Sequence, residues 1–398
     1  MVRAKGEVFM FRLPWRVLAA ATTLALTVFA ASPLVAADSG DYAEFDPDPT
    51  GDAYLDQHFP TDGLPNGAIL SSRSVQILPP LAATSDFDAW QVWFKSTAAD
   101  GTSIAAITTI MKPKTWNGRV VGNNYAIDSV GLRCNPSYQL THEVSIEAPD
   151  ITRQLLGRGY AVVMTDYQGP KMAYAHGPTQ AREVLDGIRA AQQFPAAGLA
   201  GSPTTMIGYS GGAIATVWAA QLQPSYAPEL RILGAAAGGT PADLSLLRKT
   251  MDGKPPAAAL YLMAALGVAR ATPEAFDLLN DLGVRTAQEN KNLCSNAALL
   301  GAAPVALRTL TRVDPYPTEV VQRIYRETKA GGPTPTMPIY LWHGIFDEWI
   351  PASGAQALQQ QWQNAGVDIS LTLLPCDHLT CAFTPGAIDR IDTWMGVA

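Results

Sequence analysis

The chain has 398 residues, 47% of them apolar and 16% charged, with a formal net charge of −7. That balance supports a large buried core and excludes a disordered chain. No Lys/Arg-rich stripe follows the N-terminus, so nucleic acid is not an expected partner.

The first 37 residues read as an export signal. Arg3, Lys5, Arg12 and Arg16 form a basic start, Val17 to Ala31 is a short apolar run, and Val35-Ala36-Ala37 offers small residues for cleavage. The run is short for a membrane anchor, and no second span follows, so a secreted, extracellular protein without a stable transmembrane anchor is expected. Removing this segment takes four basic residues and one acidic one and moves the net charge to −10.

Residues 38–80 are rich in Asp, Pro and Gly and read as an irregular wrap. Trp90–Phe94 and Ser103–Met111 are β-prone runs joined by the turn residues Ala98-Ala99-Asp100-Gly101. Strands and helices then alternate. Strands are expected at 119–122, 160–165, 204–209, 232–236, 339–342 and 369–374. Helices are expected at 151–158, 181–194, 211–222, 354–365 and 387–394. Such alternation predicts a mostly parallel sheet covered on both faces. It is broken once. Residues 241–332 have helical spacing and no convincing strand. They form an insertion expected either to cap the site as a mobile element or to pack as a rigid subdomain on the sheet edge. The core is then 38–240 together with 333–398.

The cysteines are Cys134, Cys294, Cys376 and Cys381. In an oxidising compartment four cysteines allow three pairings. Cys376 and Cys381 are close enough to close a small loop, leaving Cys134 and Cys294 as a long-range staple. A zinc site, the competing use, would need histidines at ligand spacing, so no metal is expected.

Gly208-Tyr209-Ser210-Gly211-Gly212 fits G-x-S-x-G, a weak signal by itself in a chain with 33 glycines. Its setting strengthens it. An apolar strand precedes it and a small-residue helix follows, as a nucleophile elbow requires, and Gly208 and Gly212 remove side chains that would collide there. A serine nucleophile needs a base and an orienting acid, in the chain order Ser, Asp or Glu, His. That order leaves His343 and His378. Asp347 lies on the turn after a late strand, with Glu348 and Asp377 as alternative acids, and His378 follows the last strand between Cys376 and Cys381. His343 is expected to be buried beside the acid turn. An oxyanion hole needs donors as well. The Gly211 amide is one, and an amide after strand 160–165, that of Asp166, is the expected second.

The segments TDYQGPKMAYAHG, AREVLDGIRAAQQF, MIGYSGGAIATVWAA, IYLWHGIFDEWIP and CDHLTC, in this order, resemble the secretory lipase family of fungi and actinobacteria. The resemblance spans roughly residue 118 to the C-terminus. It implies an α/β-hydrolase fold and a lipase or esterase with Ser210, Asp347 and His378 as triad and Asp166 and Gly211 as oxyanion hole. It also implies a helical cap lining an acyl tunnel, and disulfides Cys376–Cys381 and Cys134–Cys294. The expected substrate is an ester or lipid, at a lipid–water interface, with Leu260, Leu262, Met263 and Leu266 either favouring acyl chains or serving only as core residues. No cofactor is required. A peptidase on the same fold and a non-catalytic lipid- or protein-binding module are the alternatives.

Overall fold

The computed structural model describes residues 42–79, 86–142, 149–301, 304–383 and 386–397. The expected signal segment lies outside them. The described strands form one nine-stranded sheet in the order β1-β2-β3-β5-β4-β6-β7-β8-β9. β1 (Ile69–Ser74), β2 (Phe87–Thr97) and β3 (Ser103–Pro113) are an antiparallel flank. β3 also pairs antiparallel with β5 (Ala161–Thr165). From there the sheet is parallel through β4 (Val120–Asn124), β6 (Thr204–Tyr209), β7 (Ile232–Gly238), β8 (Ile339–Gly344) and β9 (Ile369–Leu374). With helices on both faces, this mostly parallel nine-stranded sheet is the α/β-hydrolase fold.

The central strands are buried along their whole length, which is why VVGNN, AVVMT and TTMIGY read as continuous runs rather than alternating ones. Of the helices, α1 (Pro136–His142), α2 (Pro149–Gly157) and the C-terminal Gly386–Met395 pack on one face, through Leu140, Leu155, Leu156, Ile388 and Ile391. On the other face lie α3 (Gly177–Gln193), α4 (Gly211–Tyr226) and Ala352–Asn364, through Val184, Ile188, Val217, Leu358 and Trp362.

β1 and α4 are instructive departures from the sequence reading, alongside the unexpected α1 and the earlier start of α3. β1 lies inside the stretch read as an irregular wrap. Its sequence, ILSSRS, is half serine, and it occupies the sheet edge with no alternating apolar face to reveal it. α4 runs through Pro224 to Tyr226 instead of stopping at Leu222. Proline removes one amide there, yet the turn still closes through Ala227 N donating to Gln223 O at 2.9 Å.

The insertion between β7 and β8 holds α5 (Leu247–Met251), α6 (Ala258–Ala271), α7 (Asp281–Asn290), α8 (Ser295–Gly301) and α9 (Glu319–Glu327). α6 carries apolar residues on all sides and is buried on nearly all of them. The insertion is bound to the core by the Cys134–Cys294 disulfide, across 160 residues of sequence. Arg270 binds it again. Its guanidinium donates to the carbonyls of Phe45 (2.8 Å), Val130 (2.7 Å), Lys171 (3.1 Å) and Lys291 (2.8 Å). Burial lowers its pKa to about 10, against the opposing charge of Asp46.

A buried charge satisfied by four carbonyls is costly to break from one side, since the acceptors are left dry and unpaired. Arg270→Met is therefore expected to lower unfolding stability by about 3 kcal/mol or more. Urea denaturation checks this, and a loss below about 1 kcal/mol would show the bonds to be dispensable.

Candidate active site

Ser210 sits at the turn between β6 and α4 with φ 54° and ψ −120°. A side chain rarely tolerates that backbone, so the turn must be held from outside. Ser210 N donates to Gly238 O at 2.9 Å, and Ser210 O accepts from Ala213 N at 2.9 Å. Close packing does the rest. A Cβ on Gly208 would lie 2.2 Å from Gly212 O, and one on Gly212 would lie 1.9 Å from Asn124 O. One on Gly211 would lie 1.6 Å from Asp128 Oδ1. Each glycine of the motif thus has its own steric reason.

The parallel register brings the carboxyl ends of β6, β8 and β9 to one edge, where open α/β sheets place their ligands. His378, four residues past β9, has Nε2 2.9 Å from Ser210 Oγ and Nδ1 2.7 Å from Asp347 Oδ2. A carboxylate only accepts, so Nδ1 carries the proton and Nε2 is left to accept from the serine hydroxyl. The Asp347 side chain is fully buried, and its Oδ1 accepts from Trp349 N (3.1 Å) and Ile350 N (2.8 Å). Burial pushes Asp347 towards the neutral form. The bonds from His343 and His378, the charge of His378 and the Ile350 amide outweigh it and hold the carboxyl well below the ordinary range. The alternative acids stand elsewhere. Glu348 is exposed. Asp377 Oδ1 accepts from Thr380 N (2.8 Å) and Oγ1 (2.7 Å) within its own loop.

His343 is buried at the end of β8, as expected. Its Nε2 lies 2.8 Å from Ile350 O and 3.3 Å from Asp347 Oδ2. Since both are acceptors, Nε2 carries the proton, and Nδ1 is buried without a hydrogen-bond partner. Two aromatic residues that the sequence reading passed over also frame His378. Tyr209 Oη donates to His378 O at 2.5 Å, and the Trp349 ring lies 5.0 Å from the imidazole. Tyr209 was accessible as the variable residue of the motif, next to the nucleophile position. The Cys376–Cys381 disulfide closes the His378 loop.

The Asp166 expectation is corrected. Its amide donates to Ile107 O at 3.0 Å, inside the β3–β5 ladder, and cannot point at an oxyanion. Its carboxylate is fully occupied with Ser137, through the backbone amide (3.1 Å) and the hydroxyl. Burial raises its pKa to about 7 against those bonds. The residue found beside Gly211 is Asp128, on the loop after β4, with φ 44° and 9% exposure. The signal lies in the strand order rather than in the sequence. β4 is the neighbour of β6 in the sheet, so the string YAIDS that follows it opens onto the serine.

A cavity of about 330 Å³ lies in the insertion, lined by Leu262, Met263, Leu266, Phe276, Leu279 and Ile324 among others. Leu260 belongs instead to the surrounding apolar cluster, which also contains Trp349, Ile214 and Tyr174.

The Secretory lipase family matches residues 135–393. Among curated relatives, the secreted triacylglycerol lipase LIP3 of Malassezia restricta is 29% identical over 81% of this chain and 73% of its own length. The secreted triacylglycerol lipase LIP2 of Malassezia globosa is 32% identical over 81% of this chain and 75% of its own. Among solved structures, Candida antarctica lipase A in its closed state superposes with a TM-score of 0.78 at 26% identity, covering 84% of this chain and 83% of that one. The family match extends over more than half of the chain and includes all three residues of the Ser210, Asp347 and His378 constellation. The chain belongs to the secretory lipase family.

Proposed function

We propose that this secreted carboxylic-ester hydrolase works through an acyl-enzyme on Ser210, with His378 as general base and acid and Asp347 as its orienting carboxylate. One observation carries the reading: a single imidazole bridges the Ser210 hydroxyl and the buried Asp347 carboxylate, at 2.9 and 2.7 Å. Ser210 Oγ attacks the acyl carbonyl as His378 Nε2 takes its proton. Asp347 holds the imidazole tautomer and stabilises the imidazolium. The Gly211 amide, in the first turn of α4, faces the oxyanion, and the loop carrying Asp128 supplies the opposite wall. His378 then protonates the leaving alcohol, and water releases the acid by the same route.

Triacylglycerol at a lipid–water interface is the substrate we assign. Support comes from the relatives' names and from the apolar cavity in the insertion, large enough for part of an acyl chain. On this reading residues 241–332 act as the cap that shapes the acyl site. α6, fixed by Arg270, serves as wall rather than moving part.

Ser210→Ala is expected to abolish ester hydrolysis while leaving the fold intact, and a fluorophosphonate should label Ser210 only when His378 is present. Peptide mapping of wild type and His378→Ala reads this out, and an active Ser210→Ala protein would sink the proposal.

His343 acts through Asp347. His343→Leu removes a donor that lowers the carboxyl's pKa, so that pKa rises and the Asp347 carboxyl signal in NMR titrates at higher pH. His343→Gln, which can still donate, should restore part of the shift. Identical profiles for wild type and His343→Leu would refute the positioning role.

Asp166 is expected to affect stability rather than turnover. Its folded pKa of about 7 lies above its ordinary value of 3.8. Between these values the folded state holds a proton that the unfolded state has lost, so stability falls as pH rises across this window. Asp166→Asn should flatten that fall with kcat within about threefold of wild type, a change of under 1 kcal/mol in barrier. An unchanged pH–stability slope would count against the assignment.

A further inference from the structure

Eight large apolar side chains are counted as exposed among the described residues, and five of them stand on the two segments that carry Asp347 and His378. Ile345 (53% exposed) and Phe346 (62%) immediately precede Asp347. Leu373 (42%), Leu379 (54%) and Phe383 (62%) lie on β9 and the loop after it, with Leu379 immediately following His378. An exposed leucine taken singly is unremarkable, but concentration of this kind marks an interaction surface.

The two segments form one preformed surface. Ile345 N donates to Leu374 O at 2.8 Å and Phe346 N to Cys376 O at 3.2 Å, which lays the acid turn against the base loop. That loop is closed by Cys376–Cys381 and by the Asp377–Thr380 hydrogen bonds. The backbone beneath the apolar side chains is therefore ordered before any partner arrives, which lowers the entropic cost of docking.

Charge narrows the kind of partner. No Lys or Arg occurs between Lys329 and Arg390, a stretch that includes β8, β9 and both loops. The charges beside the apolar side chains are those of Glu348, which is exposed, and Asp377, whose carboxyl is held below the ordinary range by the Thr380 amide and hydroxyl. A surface that combines apolar tips with negative charge, on a stretch of chain without Lys or Arg, is repelled by anionic headgroups and suits an uncharged interface. We propose that Ile345, Phe346, Leu373, Leu379 and Phe383 form the surface by which this protein docks on neutral-lipid droplets, and that it discriminates against anionic ones. The proposal rests on the reading of Ser210, Asp347 and His378 as the hydrolytic site, which docking by these loops would bring to the ester phase.

The test uses Ser210→Ala protein, so that the droplets are not consumed, and compares it with the same protein carrying Phe346→Ser and Phe383→Ser. Partition is measured by flotation with triolein droplets coated with phosphatidylcholine, and again with phosphatidylglycerol in the coat. Thermal unfolding controls for folding. The expected result is a loss of about tenfold or more in partition for the double variant, as expected for two phenyl groups withdrawn from an apolar phase. The phosphatidylglycerol coat should weaken binding of the parent, and high salt should relieve that weakening. In the catalytically intact chain the double substitution should leave kcat/KM on a soluble short-chain ester unchanged. Equal partition of the two proteins, or a preference for the anionic coat, would overturn the proposal. So would a dimer in sedimentation velocity that the double substitution dissolves without altering flotation, since the surface would then join two copies of this chain. A parallel fall in soluble-ester turnover would assign these residues to the reaction instead. If the intact chain hydrolyses no ester yet floats as expected, the catalytic reading fails and the docking surface stands.

Discussion

Where β6 turns into α4, there is no space for a Cβ two residues before or two residues after Ser210, and the rest of the site follows from that crowding. The helix starts so close to β4 that Gly212 nearly touches Asn124 O, and Gly208 lies against the Gly212 carbonyl. Ser210 is left with a positive φ and its hydroxyl lifted off the sheet. Such a backbone persists only when its surroundings over-determine it. Here those surroundings are the β7 carbonyl that receives the Ser210 amide and the α4 amide that bonds its carbonyl.

The partners of the serine answer to a different kind of control. Asp347 and His378 lie on loops, yet each is held by several hydrogen bonds. The carboxylate takes two backbone amides and faces two imidazoles, while the base has its own carbonyl bonded by Tyr209 and its ring beside Trp349. A carboxylate so surrounded stays charged despite burial, and a charged acceptor fixes which imidazole nitrogen carries the proton. Sterics therefore set the place of Ser210, and hydrogen bonding sets which nitrogen of His378 carries the proton.

Much of this was legible from sequence because the relevant signals are local. A buried parallel strand is a short apolar run, an elbow needs small residues at fixed offsets, and Asp347 and His378 follow strands that are themselves recognisable. β1 was hidden because an edge strand with three serines has no buried face to impose a pattern. Asp166 misled for a non-local reason. Its position after a buried strand was right for a site residue, but whether its amide is available depends on β3, an antiparallel partner more than fifty residues earlier. Asp128 became visible only through the strand order, which places β4 rather than β5 against β6. His343 was readable as buried, but its bond to the acid turn depends on how the chain closes between Asp347 and Ile350.

Arg270 lies within the insertion, yet three of its four carbonyl partners belong to the core: Phe45 near the start of the described chain, Val130 after β4 and Lys171 after β5. Cys294 likewise reaches out of the insertion to Cys134. The helical segment is consequently not a detachable module. Deleting it to obtain a minimal esterase would take the guanidinium away from the Phe45, Val130 and Lys171 carbonyls and leave a cysteine unpaired. Exchanging it between relatives to alter acyl preference would have to carry the Phe45, Val130 and Lys171 loops along. In such a chain the insertion and its footing on the core are inherited together, and the smallest unit that can be recombined is the insertion with its sockets.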